Sequence, residues 1–182
     1  SLWDDLEPYR QRVMRHPQVS DVRITRRMPG TLVVTIRENL PVALVQTSTG
    51  LLPYDSLGKQ LPIDPARMNL DLPIVATTDP VLLKFVGAIR AAEPRVFARI
   101  EEAARTGRDE ILLTLSQGAR VAGVAGNIAA PGRRTLRVRV PIGLSVERLA
   151  DIFPVETDLT RRQVQVGELD LRYRDQVIAR LQ

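Results

Sequence analysis

The chain contains no cysteine. That excludes a disulfide scaffold, a thiolate metal site and a cysteine nucleophile. It does not fix the compartment, since a periplasmic protein can also do without the residue. Histidine occurs once, as His16 beside Pro17. At such a place it reads as a helix C-terminal cap, favoured by the helix dipole. A general base would also need a nucleophile and an orienting acid, and no local motif supplies them. Aromatics are scarce, with three Phe, three Tyr and one Trp. None is interleaved with the arginine pairs Arg26-Arg27, Arg133-Arg134 and Arg161-Arg162, as a stacking platform for single strands requires. No predicted helix is basic along one side for a major groove. Long apolar runs are missing too. "LVVTI" and "LPVALV" are strand-sized, far below the ~20 residues of a membrane helix. No signal peptide opens the chain. It starts at Ser1 rather than Met, so we expect a processed or excised piece with any anchor upstream.

Phosphate-binding and metal motifs are also lacking. "GVAGN" (123–127) has two glycines but no Lys-Ser/Thr, and it leads into a loop. The neighbouring acids Asp4-Asp5 and Glu101-Glu102 diverge by ~100° around a helix, so they do not form a carboxylate dyad. Asp64, Asp71 and Asp79 lack the spacing of a calcium loop. We therefore expect no enzyme: no catalytic residue, no cofactor site and no metal site.

What is present is an ordinary globular balance over 182 residues, with 44% apolar and 26% charged side chains. That length suits one or two domains. The net charge is +5, and Lys59 and Lys84 are the only lysines, so arginine carries the positive side. Spread over this length, it is a mild field. It fits a solvated surface, or a site for an acidic partner or nucleic acid. The arginine pairs all fall in or beside predicted turns, where exposed charge is expected anyway.

Leu2, Leu6, Tyr9 and Val13 follow helical spacing, so residues 2–16 read as a helix. Asp4 or Asp5 can cap it, Pro8 must lie in its first turn, and Pro17 closes it. Val22 and Ile24 then alternate with polar residues as a short strand. Arg26 to Gly30 make a turn, with Pro29 presetting φ and Gly30 free to take a positive one. Leu32, Val34 and Ile36 are expected to form the buried face of the next strand, with Val33, Thr35 and Arg37 outward. Residues 51–75 are short strands and turns, including a small hairpin turning at Ser56 to Gly58. Residues 79–106 read as two helices divided by Pro94. Asp79 caps the first and Pro80 takes its first position. Phe97, Ile100 and Ala104 line the second, and Gly107 stops it. Strands follow at 110–116 and 120–125, then a loop, then a strand in which Leu136, Val138 and Val140 alternate with Arg137 and Arg139. "SVERLADIF" (145–153) is a short helix capped by Ser145. The end of the chain is a hairpin. Val164 and Val166 share one parity, while Leu169, Leu171 and Tyr173 share the other, so a β-bulge is predicted at Gly167-Glu168. Val177, Ala179 and Leu181 form one face of the last strand.

"HPQVSDVRITRRMPGTLVVTIRENLPVALV", "YDSLGKQLP" and "ELDLRYRDQVIARL" together resemble the FtsQ/DivIB cell-division family. Pro17 to Val19, Arg26 to Leu32 and Glu38 to Ala43 match its P-x-V, P-x-T-L and E-R-x-P-V-A pattern, with Asn39 where Arg is common. Asp170 to Tyr173 match its closing "DLRY". Residues 117–143 depart from the family pattern. The resemblance implies an α+β fold: a partial POTRA domain of helix plus antiparallel strands (1–48), then an antiparallel-sheet β-domain with helices (49–182). The family's POTRA domain begins with a strand and a helix before the "SLW" position, so this chain is expected to start inside it. The implied protein is a single-pass inner-membrane protein of the division septum, with a periplasmic outer part and a transmembrane helix upstream. Its implied role is a non-enzymatic divisome scaffold that binds FtsB/FtsL-type proteins and helps regulate septal peptidoglycan synthesis.

In the family, the tyrosine of "DLRY" and the residues after it belong to the FtsB-binding surface. That carries over to Tyr173, which also reads as a rim residue of the core. Arg174, Asp175 and Gln176 differ from the Gly-containing turn common there. An edge strand offers unpaired N–H and C=O groups to a partner. We therefore expect docking by strand addition at Arg172, Tyr173, Val177, Ile178, Ala179, Arg180 and Leu181. Arg172 and Arg180 would meet acidic groups, although Asp170 and Arg172 also suit a structural cross-strand pair. The competing readings are a POTRA-bearing component of an outer-membrane translocation system and an arginine-rich nucleic-acid module. The first usually has several repeats and a barrel, and neither is visible. The second requires binding that falls steeply with salt.

Overall fold

The computed structural model describes residues 5–68, 70–117, 134–173 and 176–181. Its first unit is a helix and a two-stranded antiparallel sheet. Helix α1 spans Glu7–Met14, with Pro8 in its first turn, where a missing N–H costs nothing. The Asp5 carboxylate accepts from the Glu7 N–H at 3.0 Å. Leu2 and Asp4, expected on this helix, lie outside the described residues. The chain leaves α1 by a turn in which His16 Nδ1 accepts the Gln18 N–H.

Strand β1 (Val19–Arg27) pairs with β2 (Thr31–Glu38), and Gly30 between them takes φ +137°, a conformation that favours glycine. Val22 opposes Ile36, and Ile24 opposes Val34. Here one expectation fails. Leu32, Val34 and Ile36 alternate as a buried face should, yet they are 54%, 49% and 49% exposed. Alternation reports which residues share a face. It does not guarantee that the face is covered. Helix α1 packs on β1 and Val22 is buried, but α1 has no buried residue of its own and Tyr9 stays exposed.

Residues 39–42 lead into an eight-stranded sheet. Its strands are β3 (Ala43–Thr47), β4 (Gly50–Tyr54), β5 (Ile74–Val75), β6 (Ile100–Arg105), β7 (Glu110–Ser116), β8 (Thr135–Pro141), β9 (Val166–Asp170) and β10 (Ile178–Leu181). Their order is β10-β9-β8-β7-β6-β5-β3-β4. The fold is α+β and antiparallel-rich, as expected. The pairings β3–β5, β5–β6 and β8–β9 are parallel, made possible by the helical crossovers between them.

Those crossovers are α2 (Pro65–Met68), α3 (Pro80–Ala92), α4 (Pro94–Phe97), a 3-10 turn (Val146–Asp151) and α5 (Ile152–Arg161). No described helix is long and apolar enough to cross a membrane. Asp79 caps α3 as expected, accepting from the Val81 and Leu82 N–H groups. Leu82, Leu83, Val86 and Ile89 bury one face of α3 in the core that also holds Ile111, Leu113, Val138, Val140 and Leu169 of the sheet. Each such large aliphatic contributes roughly 1.5–3 kcal/mol.

Two helix boundaries differ from expectation. The predicted helix 94–106 is a single turn, α4, followed by strand β6. "IEEAAR" favours a helix by propensity, but Ile100 and Ala103 are buried between β5 and β7, and that packing overrides a preference worth tenths of a kcal/mol per residue. The helix predicted to end at Phe153 continues to Arg161, because Pro154 sits in the first turn of α5, where proline is tolerated. Ser145 makes no capping bond to the backbone. The strand expected at 120–125 and the loop after it lie outside the described residues.

Candidate docking edge

The site is built outward from β8. Along it, Leu136, Val138 and Val140 are buried in the core, so Arg137 and Arg139 stand on the opposite face of the sheet. On β9 the same parity puts Leu169 in the core and Glu168 and Asp170 beside those arginines. The predicted bulge is present. Arg180 opposes Glu168 and Leu181 opposes Val166, so the register passes over Gly167. The extra residue lets Val166 and Leu169 both face the core although they differ in parity.

Strand β10 closes the sheet order, and among the described residues no strand lies against its outer side. Val177 and Ala179 pack against the core, and Ile178 and Arg180 face the other way, opposite Asp170 and Glu168. Leu181 lies on the same side as Val177 and Ala179 but remains exposed. Tyr173 precedes the strand with its side chain half exposed, while its carbonyl accepts from Arg148 Nη2 at 3.1 Å. Arg174 and Asp175 lie outside the described residues.

A network of ion pairs fixes this edge. Arg172 forks onto Asp170 through Nε (2.9 Å) and Nη2 (2.6 Å), and its backbone N–H also donates to Asp170 Oδ1 at 3.1 Å. Arg172 Nη1 reaches Glu110 Oε2 on β7 at 2.8 Å. Glu110 Oε1 accepts from Arg139 at 2.7 Å, and Arg139 Nε donates to Glu168 Oε1 at 2.9 Å. Arg180 on β10 lies 3.4 Å from Glu168. The pair between Asp170 and Arg172 is thus a local clasp spanning two residues, not a cross-strand contact. The clasp with Arg172 outweighs burial and holds the Asp170 carboxyl below its usual range. The Thr106 hydroxyl, with Arg139 and Arg172, does the same for Glu110. Arg172 is raised chiefly by its bond to Asp170, and Arg139 by its bond to Glu168.

All seven expected docking residues lie within this closing segment. Sequence reasoning missed the acids and the second arginine beneath it: Glu110, Glu168 and Arg139. The signal for Glu168 and Arg139 was available, because "LRVRV" and "VGELDL" both put charge on the face opposite their apolar residues, whereas Glu110 joins only through the fold.

No protein-family model matches the chain. A stretch of 127 residues is 32% identical to the cell division protein FtsQ of Zymomonas mobilis subsp. mobilis. The chain belongs to the FtsQ/DivIB cell-division family. The aligned stretch makes up 69% of this chain and 40% of that FtsQ, so the chain spans less than half of its relative's length. Among solved structures, 69% of the chain is similar to 97% of the major extracytoplasmic domain of DivIB from Geobacillus stearothermophilus, in its trans isomer, at 15% identity and a TM-score of 0.42. Within this FtsQ/DivIB chain, the "DLRY" residues are the ones that hold the clasp at Asp170 and Arg172 and lead into β10.

Proposed function

We propose that this chain is a non-enzymatic scaffold of the bacterial divisome, the extracytoplasmic part of a single-pass inner-membrane protein at the septum. In it, α1 with β1 and β2 is the remainder of a POTRA domain, and the eight-stranded sheet with its helices is the β-domain; the proposed boundary moves from residue 48 to near residue 40, because β3 pairs with β4 and β5. The partner is an FtsB/FtsL-type segment that adds as a strand to β10, and through it the scaffold helps regulate septal peptidoglycan synthesis. One observation carries this proposal: among the described residues, β10 ends the sheet and no strand lies on its outer side. A strand there has about half of its N–H and C=O groups facing outward, and a partner strand satisfies them. Ile178 and Arg180 on one face, and Leu181 on the other, would flank the added strand.

Titrating the folded chain with a synthetic FtsB-type segment tests it. Ile178→Pro and Ala179→Pro are each compared with the parent. Successive N–H groups of a strand point to opposite sides, so one of the two prolines removes an outward donor. We expect at least tenfold weaker binding for that variant. Parent-like affinity in both folded variants would refute strand addition at this edge.

A further inference from the structure

Two arginines stack on one aromatic ring, and they differ in what their donors hold. The Arg99 guanidinium lies 5.8 Å from the centre of Phe153. Its two Nη groups grip Glu156 at 2.6 and 2.7 Å, and its Nε donates to the Ser116 carbonyl at 2.9 Å. Its donors are occupied within the chain. The Arg95 guanidinium sits closer to the same ring, at 4.5 Å, with no hydrogen bond or carboxylate among the described residues. Stacking uses the face of a guanidinium and leaves its in-plane N–H edge available. Arg95 is therefore held on one face and unspent along its edge.

Arg95 lines an open cleft of about 1200 Å³ between α4, α5 and the start of β8. Half-buried Phe153, Leu159 and Val164 wall it, and Val166 lies at its floor. The exposed Arg134, whose side chain also has no partner among the described residues, stands on the rim. Two acids line the cleft as well. Glu156 is spent on Arg99, and Asp71 is itself engaged. The charge left unspent is positive, over an apolar floor.

We propose that this cleft is a second docking site, taking a carboxylate-bearing apolar peptide segment of a partner protein, its acid held by the open edge of Arg95 with Arg134 and its apolar side chains against Phe153, Leu159 and Val164. A planar, pre-oriented guanidinium recognises a carboxylate bidentately, which a bare point charge does not. The groups that would hold the acid, Arg95 and Arg134, lie off β10, although Val166 at the floor pairs with Leu181, so the variants below separate the two sites.

The test is an NMR titration of the isotope-labelled chain with an acetylated, amidated Leu-Glu-Leu-Glu-Val peptide and its Gln-for-Glu counterpart, with inorganic phosphate as a third ligand. The expected result is saturable shifts at the Arg95 Nε–H and the 163–166 amides with the Glu peptide. Binding should be at least tenfold weaker with the Gln peptide and with Arg95→Gln. Arg161→Gln and Ala179→Pro should leave it unchanged. Equal binding of the two peptides, a response to phosphate alone, absence of shifts at Arg95, or shifts confined to β10 would each overturn the site.

Discussion

At the scale of single residues, the proposed docking edge rests on buried carboxylates that depend on arginine. The Asp170 side chain is 1% exposed, and its acidity is increased chiefly by Arg172. A carboxyl whose folded pKa lies below its unfolded value, about 3.9 for Asp, contributes stability above that value and loses it as pH falls through the folded one. Urea midpoints should therefore stay level from neutral pH to about 5 and decline below about 4. Asp170→Asn should be less stable at pH 7 and show a shallower acid decline. An unchanged decline would mean that the clasp is not what titrates. Tyr173 gives the opposite expectation. Its ring is half exposed, so Tyr173→Ala should change stability by no more than about 0.5 kcal/mol. Binding of the FtsB-type segment, by contrast, should fall at least tenfold. Equal losses in both measurements would make Tyr173 a packing residue.

At the scale of elements, α3 shows why a local rule can point the wrong way. Gly87 lies inside this helix, where alanine is ordinarily better by about 1 kcal/mol. A Cβ at Gly87 would fall 2.6 Å from the Cβ of Ser56. Ser56 cannot easily retreat, because the buried Asp55 carboxylate ties its turn by accepting the Leu57 and Lys59 N–H groups at 2.9 and 2.8 Å. Gly87→Ala should thus lower the melting temperature, and adding Ser56→Gly should restore part of the loss. A more stable Gly87→Ala would show that the two elements part without cost. The same scale shows what the sequence made legible. Asp79-Pro80 marked the start of α3, the parity change at Gly167 marked the bulge, and the Leu136/Val138/Val140 alternation marked β8, because each is a local constraint. Strand β6 was hidden, since "IEEAAR" becomes a strand only through β5 and β7. The extent of α5 was hidden by Pro154, which looks like a terminator but lies in the first turn.

At the scale of the whole molecule, the edge position of β10 depends on how eight strands are ordered. The terminal hairpin was readable from its alternation, so β10 beside β9 was expected, but the pairing that attaches this hairpin to the sheet, parallel β8–β9 across α5, emerges only from the fold. The ion network was half legible: Asp170 and Arg172 were visible as a pair, while Glu110 lies sixty-two residues from Arg172 and joins through the fold. Together these put a charge-braced ribbon at the rim of the eight-stranded sheet. Amide hydrogen exchange on β10 tests its use most directly. In the free chain, alternate amides of Ile178 to Leu181 should exchange without protection, and adding the FtsB-type segment should slow those outward amides at least tenfold. If the segment binds while their exchange stays unchanged, the partner is held elsewhere and β10 is not the docking strand.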